Sequence, residues 1–488
     1  MIRSHLDRRA AELGVAVKPD PGLLDEVTGL AEFPVVLTGE IDADFMTLPP
    51  EVLQTAMRVH QKYFSCEWPD GRPAPHFLFV ANNLADDGGT AIVAGNERVL
   101  RARLADARFF WDQDRKIRLE DRVDALKDRV YHAKLGSVYD KIQGMKRLAE
   151  FLAPFVPGAN TERSRHGTRL AKADLSTGMV GEFPELQGIM GRYYALHDGE
   201  DERVADAIAD HYKPLGPSDD CPTGPVSVVT ALADKIDTLV AFFAIGEKPT
   251  GSRDPFALRR AAQGVIRIIL ENQLRLPLAQ AFAVARSRPG IPPIVDQSEV
   301  AAVVAELLAF IADRLKVHLR DRGVRHDLIA AAFAQLGVSA IPYTGEYEDD
   351  LVRLLARVDA LAGFLSSEDG ANLLTAYRRA ANIVAIEERR EGRSFGREVD
   401  RAALKLPEEH SLFADLKLVD AGASHSLAHE EFQAAMGHLS SMRRSVDAFF
   451  EKVTVNTDDA RVRENRLRLL SRIRAAMNQV ADFSLIEG

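Results

Sequence analysis

The sequence has few cysteines and no long apolar segment. Only Cys66 and Cys221 occur among the 488 residues. Two thiols exclude a disulfide framework and a cysteine-based zinc cluster, and such scarcity is typical of a reducing compartment. No apolar run approaches the roughly 20 residues that span a bilayer, and the opening stretch MIRSHLDRRAAELGV lacks the apolar core of a secretory signal. We therefore expect a cytoplasmic protein that does not bind membranes.

Several catalytic patterns are also missing. The stretch PTGSRDPFALRR is only superficially similar to a phosphate-binding loop, because it lacks Gly-x4-Gly-Lys-Ser/Thr. No Ser-His-Asp, Cys-His or zinc-finger arrangement is visible, and no pattern supplies an adenylate site. The sequence therefore offers no catalytic residue.

What is present is an ordinary globular composition, with 46% hydrophobic and 27% charged residues. The length suggests about three domains. The net charge of −10 argues against a protein that coats nucleic acid generally, although it permits local basic surfaces.

The apolar patterns predict a mixed α/β first part followed by a helical remainder. Helical spacing covers residues 1–16, and a long helix is predicted from about Glu97. Strand-like runs lie between them: Phe33–Ile41, His76–Leu84 and Ala91–Asn96. After about Gly136 helical patterns dominate, with three strong apolar stripes over 351–365, 432–453 and 467–480.

The stretch LAKADLSTGMVGEFPELQGIMG resembles part of an HD-type metal phosphohydrolase site. Such a site needs a His-Asp pair and a later Asp, which together bind catalytic cations. Here Lys172 and Ala173 precede Asp174, while His211 and Asp234 supply later donors. A protonated lysine cannot ligate a metal. We therefore predict a degenerate site of Lys172, Asp174, His211 and Asp234 that lie near one another and bind no metal.

Two groups of arginines are candidates for RNA contacts. The first is Arg98, Arg101 and Arg103, on a predicted helix beside aromatic residues. The alternative is that these arginines pair with nearby acids, among them Glu97 and Asp106. The second group lies in the C-terminal region, where residues 441–488 carry a net charge of +2. It consists of Arg461, Arg463, Arg466 and Arg468, together with Arg378 and Arg379 from an earlier helix. A solvated helix face is the alternative there.

Six motifs in one order resemble the β subunit of the bacterial two-subunit glycyl-tRNA synthetase, and the resemblance covers essentially the whole chain. They are LLDEVTGLAEFPVVLTGEID, LPPEVLQTAMRVHQKYF, AGNERVLRARLADARFFWDQD, LAKADLSTGMVGEFPELQGIMGRYYA, LADKIDTLVAFFAIGEKPTGSRDPFALRRAAQGVIRI and FFEKVTVNTDDARVRENRLRLLSRI. Members of that family carry a further N-terminal region, so we expect this chain to lack it and Met1 not to be the natural start.

The resemblance implies a multidomain, mainly α-helical fold with four parts. They are a mixed α/β, editing-domain-like region (1–135), an HD-like helical domain (136–265), a helical connector (266–345) and a helical anticodon-binding domain (346–488). In this family the HD-like region also reads KADL rather than His-Asp.

The resemblance also implies a division of labour in an α2β2 enzyme. The α subunit uses ATP and Mg to make glycyl-adenylate, while this chain binds tRNA(Gly), carries no cofactor and has no role with DNA. The C-terminal arginines and Arg378 and Arg379 are then expected at the anticodon arm, and Arg98, Arg101 and Arg103 at tRNA or the partner subunit. Two alternatives remain, an HD-type metal phosphohydrolase and a purely structural assembly subunit.

Overall fold

The structure is a computed structural model that describes residues 1–291, 293–294, 296–334 and 349–487. The chain forms two compact units. The first comprises 1–234 with 288–291, and the second comprises 235–287 with 292–488. The predicted four-part division stays a prediction, and its boundary at 345/346 lies outside the described residues.

The first unit contains all the described strands. Its strands are β1 (Ala16–Val17), β2 (Val35–Glu40), β3 (Phe64–Glu67), β4 (Pro73–Ala81), β5 (Val130–His132) and β6 (Gly136–Ser137). Its helices are α1 (Ile2–Glu12), α2 (Pro21–Leu30), α3 (Pro50–Gln61), α4 (Thr90–Asp114), α5 (Val138–Leu152), α6 (Thr161–Leu170), α7 (Gly178–Glu182), α8 (Ile189–His197), α9 (Glu202–Asp210) and the first half of α10 (Pro225–Ala244).

A four-stranded antiparallel sheet organises the N-terminal part, in the order β1-β3-β4-β2. Side chains alternate between its two faces, as the pleat requires. Val36 and Leu78 pack with α1 and α2 on one face, whereas Leu37 and Phe77 pack with α3 and α4 on the other. The second face continues into the core of α8 and α9.

One predicted strand is wrong. Residues Ala91–Asn96 form the first turns of α4, which begins at Thr90 instead of near Glu97. The Asp87 carboxylate accepts hydrogen bonds from the backbone N–H groups of Gly89 and Ala91, at 2.9 Å each. This cap starts the helix early, and it overrides the apolar run that suggested a strand.

The elements named in the second unit are all helices, within its described residues. It holds the second half of α10 and α11 (Leu258–Glu271), α12 (Leu278–Arg286), α13 (Gln297–Asp321), α14 (His326–Ala334), α15 (Leu351–Ser366), α16 (Glu368–Glu391), α17 (Pro407–Ala428), α18 (Phe432–Ser441), α19 (Arg443–Lys452) and α20 (Ala460–Asn478). Helices α14 to α20 share one apolar core.

The C-terminal stripes are confirmed as core faces, with one correction. The stripe over 432–453 is two helices, α18 and α19, separated at Met442. All of its predicted positions are still buried, because both helices face the same core. The mainly α fold with a mixed α/β first part is confirmed. Within the described residues, no helix has the length and apolar character needed to cross a bilayer.

Candidate functional site

Asp174 lies in the interior of the first unit, on a short 3-10 turn after α6. It is fully buried, and its carboxylate accepts hydrogen bonds from the backbone N–H groups of Gly188 (2.5 Å) and Gly191 (3.2 Å). A Cβ atom on Gly188 would lie 3.0 Å from the Tyr212 ring, and one on Gly191 would lie 2.5 Å from Ile208. The two glycines are therefore required by close packing around Asp174.

The environment of Asp174 favours the protonated carboxyl group. Burial raises the pKa of this group to about 6, while the N–H donors of Gly188 and Gly191 and the charge of Lys172 oppose that rise. Removal from water therefore outweighs the three stabilising interactions.

Two lysine ammonium groups hold the later carboxylate, Asp234. The Nζ atoms of Lys141 and Lys172 lie 3.1 Å and 3.4 Å from Asp234 Oδ1. The Lys172 ammonium also lies 3.9 Å from the centre of the Tyr212 ring. Both lysine side chains are almost completely buried, and the Asp234 carboxylate offsets part of their combined charge.

His211 is buried next to the same tyrosine. It donates its Nδ1–H to the carbonyl oxygen of Ile208 at 2.7 Å, and its ring centre lies 3.9 Å from that of Tyr212. Burial raises the pKa of Tyr212, and the charges of Asp174 and Asp234 raise it further. Tyr212 therefore has all of the predicted degenerate-site residues in its surroundings.

This donor set does not fit a divalent cation. Among the residues that the structure describes, no three His, Cys, Asp or Glu side chains are placed to hold a metal ion together. Two ammonium groups already neutralise Asp234, and a cation there would meet their repulsion. The arrangement is a packed network of charges within a helical scaffold.

The arginines of α4 differ in their surroundings. Arg101 forms a two-point ion pair with Asp42, at 2.7 Å and 3.0 Å, and Arg103 pairs with Glu182 at 3.3 Å. Both acids lie far from α4 in the sequence, so the pairing predicted within the helix does not describe these two residues. Arg98 is exposed and makes no ion pair with any described residue.

The predicted arginines of α20 pair with acids, three of them with acids of neighbouring segments and one with an acid of α20 itself. Arg466 is only 8% exposed, and its guanidinium pairs with the buried Glu409. The other pairs are Arg461 with Asp400, Arg463 with Glu387 and Glu391, and Arg468 with Glu464. Arg461 keeps the most accessible side chain of the four, with 68% exposure. Arg466 thus has a role inside the fold.

The two arginines of α16 that were predicted to contact RNA, Arg378 and Arg379, also contact neighbouring parts of the second unit. Arg378 donates a hydrogen bond to the carbonyl oxygen of Ile486 at 2.6 Å. Arg379 stacks over the ring of Phe450, with 4.5 Å between the guanidinium carbon and the ring centre. A role for these arginines, and for those of α20, in binding tRNA stays a prediction.

Sequence reasoning overlooked a basic stretch that runs from the end of α16 to the start of α17. Residues 389–405 contain six basic and three acidic side chains. All six basic residues are exposed: Arg389, Arg390, Arg393, Arg397, Arg401 and Lys405. A charge count in short windows would have revealed them, whereas attention to regular helices favoured α20.

Two models of known protein families match this chain. The family model described as glycyl-tRNA synthetase beta subunit matches residues 1–334, and the model of the DALR anticodon binding domain matches residues 373–484. The second match covers most of the helical core formed by α16 to α20.

Curated relatives are similar over nearly the whole chain. The glycine–tRNA ligase beta subunit of Rhodospirillum centenum is 56% identical over 99% of this chain, and that of Phenylobacterium zucineum is 53% identical over 96%. The protein of the same name from Paracoccus denitrificans is 49% identical over 100%. The chain spans 66% of the length of the first two relatives and 68% of the third. Because one family model matches more than half of it, the chain belongs to the glycyl-tRNA synthetase beta subunit family.

Proposed function

We propose that this chain is the tRNA-binding, non-adenylating subunit of glycine–tRNA ligase. In this proposal it positions tRNA(Gly) for ATP-dependent glycylation on an α subunit. Its partners are that subunit and tRNA(Gly), and it works in the cytoplasm. ATP and Mg act on the α subunit, and no residue of this chain takes part in the chemistry.

The observation that carries the proposal is the match of residues 373–484 to an anticodon-binding domain. This segment lies within a continuous core that contains α16 to α20. A packed helical core supports an RNA-binding role because it fixes the backbone from which surface side chains extend, which lowers the entropy lost on binding.

The mechanism follows from binding at a distance from the reacting atoms. Contacts with the anticodon arm contribute binding energy that is used to orient the acceptor end toward the adenylate. An encounter between two molecules thereby becomes an oriented reaction within one complex. Among the predicted residues, Arg461 is the best placed on α20 for such contacts, because its side chain is largely exposed.

Reconstitution with a bacterial glycyl α subunit tests the proposal. The full chain, the α subunit and their mixture are each assayed for glycyl-adenylate formation and for glycyl-tRNA formation. We expect no adenylate from this chain alone, and we expect glycyl-tRNA formation to rise strongly when it joins the α subunit. Adenylate formation by this chain alone would contradict the proposal, as would charging that stays at the level of the α subunit.

The same samples test the two alternatives. Stoichiometric bound metal together with phosphoester hydrolysis would favour the phosphohydrolase. The Lys141 and Lys172 pairs with Asp234 argue against that outcome. Tight association with the α subunit without any tRNA binding would favour a purely structural subunit.

A further inference from the structure

We call residues 389–405 the basic segment. We propose that the exposed basic side chains of this segment bind the phosphate backbone of the tRNA. Helix α20 holds this segment in place. This inference rests on the proposed function and names the surface that would perform it. The principal contacts are Arg397, Arg401 and Lys405.

The basic segment alternates between buried anchors and exposed cations. Phe395, Val399 and Ala403 are 1%, 8% and 2% exposed, and each lies four residues from the next. Arg397 and Arg401 fall midway between these anchors, and both are exposed. Because the anchors fix the inward side of the chain, the cations are held on the outward side.

Residues of α20 hold the backbone of the basic segment. The buried side chain of Asn465 accepts a hydrogen bond from the Asp400 N–H at 2.7 Å and donates one to the Asp400 carbonyl oxygen at 3.0 Å. Arg468 donates to the carbonyl oxygen of Glu398 at 2.9 Å. A segment fixed in this way loses little conformational entropy when it binds a ligand.

Ion pairs account for the acids of the basic segment. Glu391 pairs with Arg463 of α20 and with Arg393 of the segment itself, and Asp400 pairs with Arg461. The third acid, Glu398, is exposed, with its carboxylate 3.6 Å from Arg472. Helix α20 therefore supplies positive charge that offsets each acid of the segment.

The outward cations keep their charge uncompensated. Within the part of the chain that the structure describes, Arg397, Arg401 and Lys405 have no carboxylate partner. Local positive charge on a chain with a net charge of −10 favours a polyanion, and guanidinium groups suit phosphate oxygens through their planar donors. An acidic protein surface is the other class of ligand, and the test below distinguishes it.

Two double variants with equal charge change test the inference. The first is Arg397→Glu with Arg401→Glu. The control is Arg320→Glu with Arg322→Glu, two exposed arginines at the end of α13 in the same unit. Binding of labelled tRNA(Gly) to each full chain is measured over a salt series. Association of each full chain with a bacterial glycyl α subunit is measured alongside, and thermal unfolding checks that each variant folds.

We expect the first variant to bind tRNA(Gly) at least about tenfold more weakly. Its salt slope should fall by about 2, because each removed arginine leaves one phosphate without a cation. The control should stay within about twofold of the wild type, since only the general field changes. If Arg397→Glu with Arg401→Glu does not fold, the corresponding double alanine variant takes its place, with a smaller decrease in affinity in the same direction.

Three results would overturn the inference. The first is an equal decrease in tRNA affinity in both variants, and the second is wild-type tRNA binding by Arg397→Glu with Arg401→Glu. The third is loss of α-subunit association by that variant while it still binds tRNA, which would make the basic segment a protein interface. Failure of the wild type to bind tRNA(Gly) at low salt would instead remove the proposed function itself.

Discussion

At the scale of single residues, the burial of Asp174 makes the stability of the fold depend on pH. Its ordinary pKa is 3.8, and burial raises the pKa in the folded protein to about 6. The folded state therefore holds the proton more tightly than the unfolded chain does. Stability from this group is fully present below about pH 4 and is lost as the pH rises to about 6.

We predict that Asp174→Asn removes this pH dependence. In the wild type, the contribution of Asp174 to the free energy of unfolding falls by at most about 3 kcal/mol between pH 4 and 6. Urea unfolding of the wild type and the variant across this range measures the difference. The matched control is Asp7→Asn, an exposed position on α1, which should follow the wild-type profile. Parallel profiles for the wild type and Asp174→Asn would contradict the prediction.

The chemistry of position 172 could be predicted from the sequence, whereas the ion pair of Lys172 could not. The lysine at position 172 excludes a metal ligand by its chemistry alone. Its partner could not be predicted, because Lys172 and Lys141 meet Asp234 only after α5 and the first half of α10 have packed. Spacing along one chain does not specify such long-range pairs.

At the scale of elements, a buried ion pair links α17 to α20 beside the apolar core that the two helices share. Glu409 accepts hydrogen bonds from the backbone N–H groups of Lys405 and Leu406, and its carboxylate pairs with Arg466. Burial opposes ionisation, yet these interactions hold the pKa of Glu409 below its ordinary value. The carboxylate thus both caps α17 and anchors α20.

We predict that Glu409→Gln lowers the free energy of unfolding by about 1–3 kcal/mol, because Arg466 keeps its charge in a buried position. Urea unfolding near neutral pH measures this change. Glu408→Gln is the matched control, since Glu408 makes a single pair with the exposed Lys452 and should change the free energy of unfolding much less than Glu409→Gln does. Equal stability of Glu409→Gln and the wild type would argue against the anchoring role.

Helices could be predicted from the sequence where a single apolar stripe marks one helix. The stripe over 351–365 predicted α15, because a single apolar face meets the core. The stripe over 432–453 concealed the break at Met442, since α18 and α19 both place their apolar residues in the same core. Residues 91–96 were mistaken for a strand because a capping side chain acts locally and leaves no trace in an apolar pattern.

At the scale of the whole molecule, charge is distributed unevenly. The chain carries −10 in total, whereas residues 389–405 carry three more basic than acidic side chains. The arginines of α20 that the sequence favoured as RNA contacts pair largely with acids. A sequence shows how many arginines are present, but only packing decides which of them remain available to a ligand.

Equilibrium binding of tRNA(Gly) to the full chain across a salt series tests the proposed tRNA-binding role. We expect binding at about 50 mM salt and an affinity that falls by orders of magnitude by about 200 mM, with a linear relation between the logarithms of affinity and salt concentration. A chain that is folded yet binds no tRNA(Gly) at the lowest salt would contradict it.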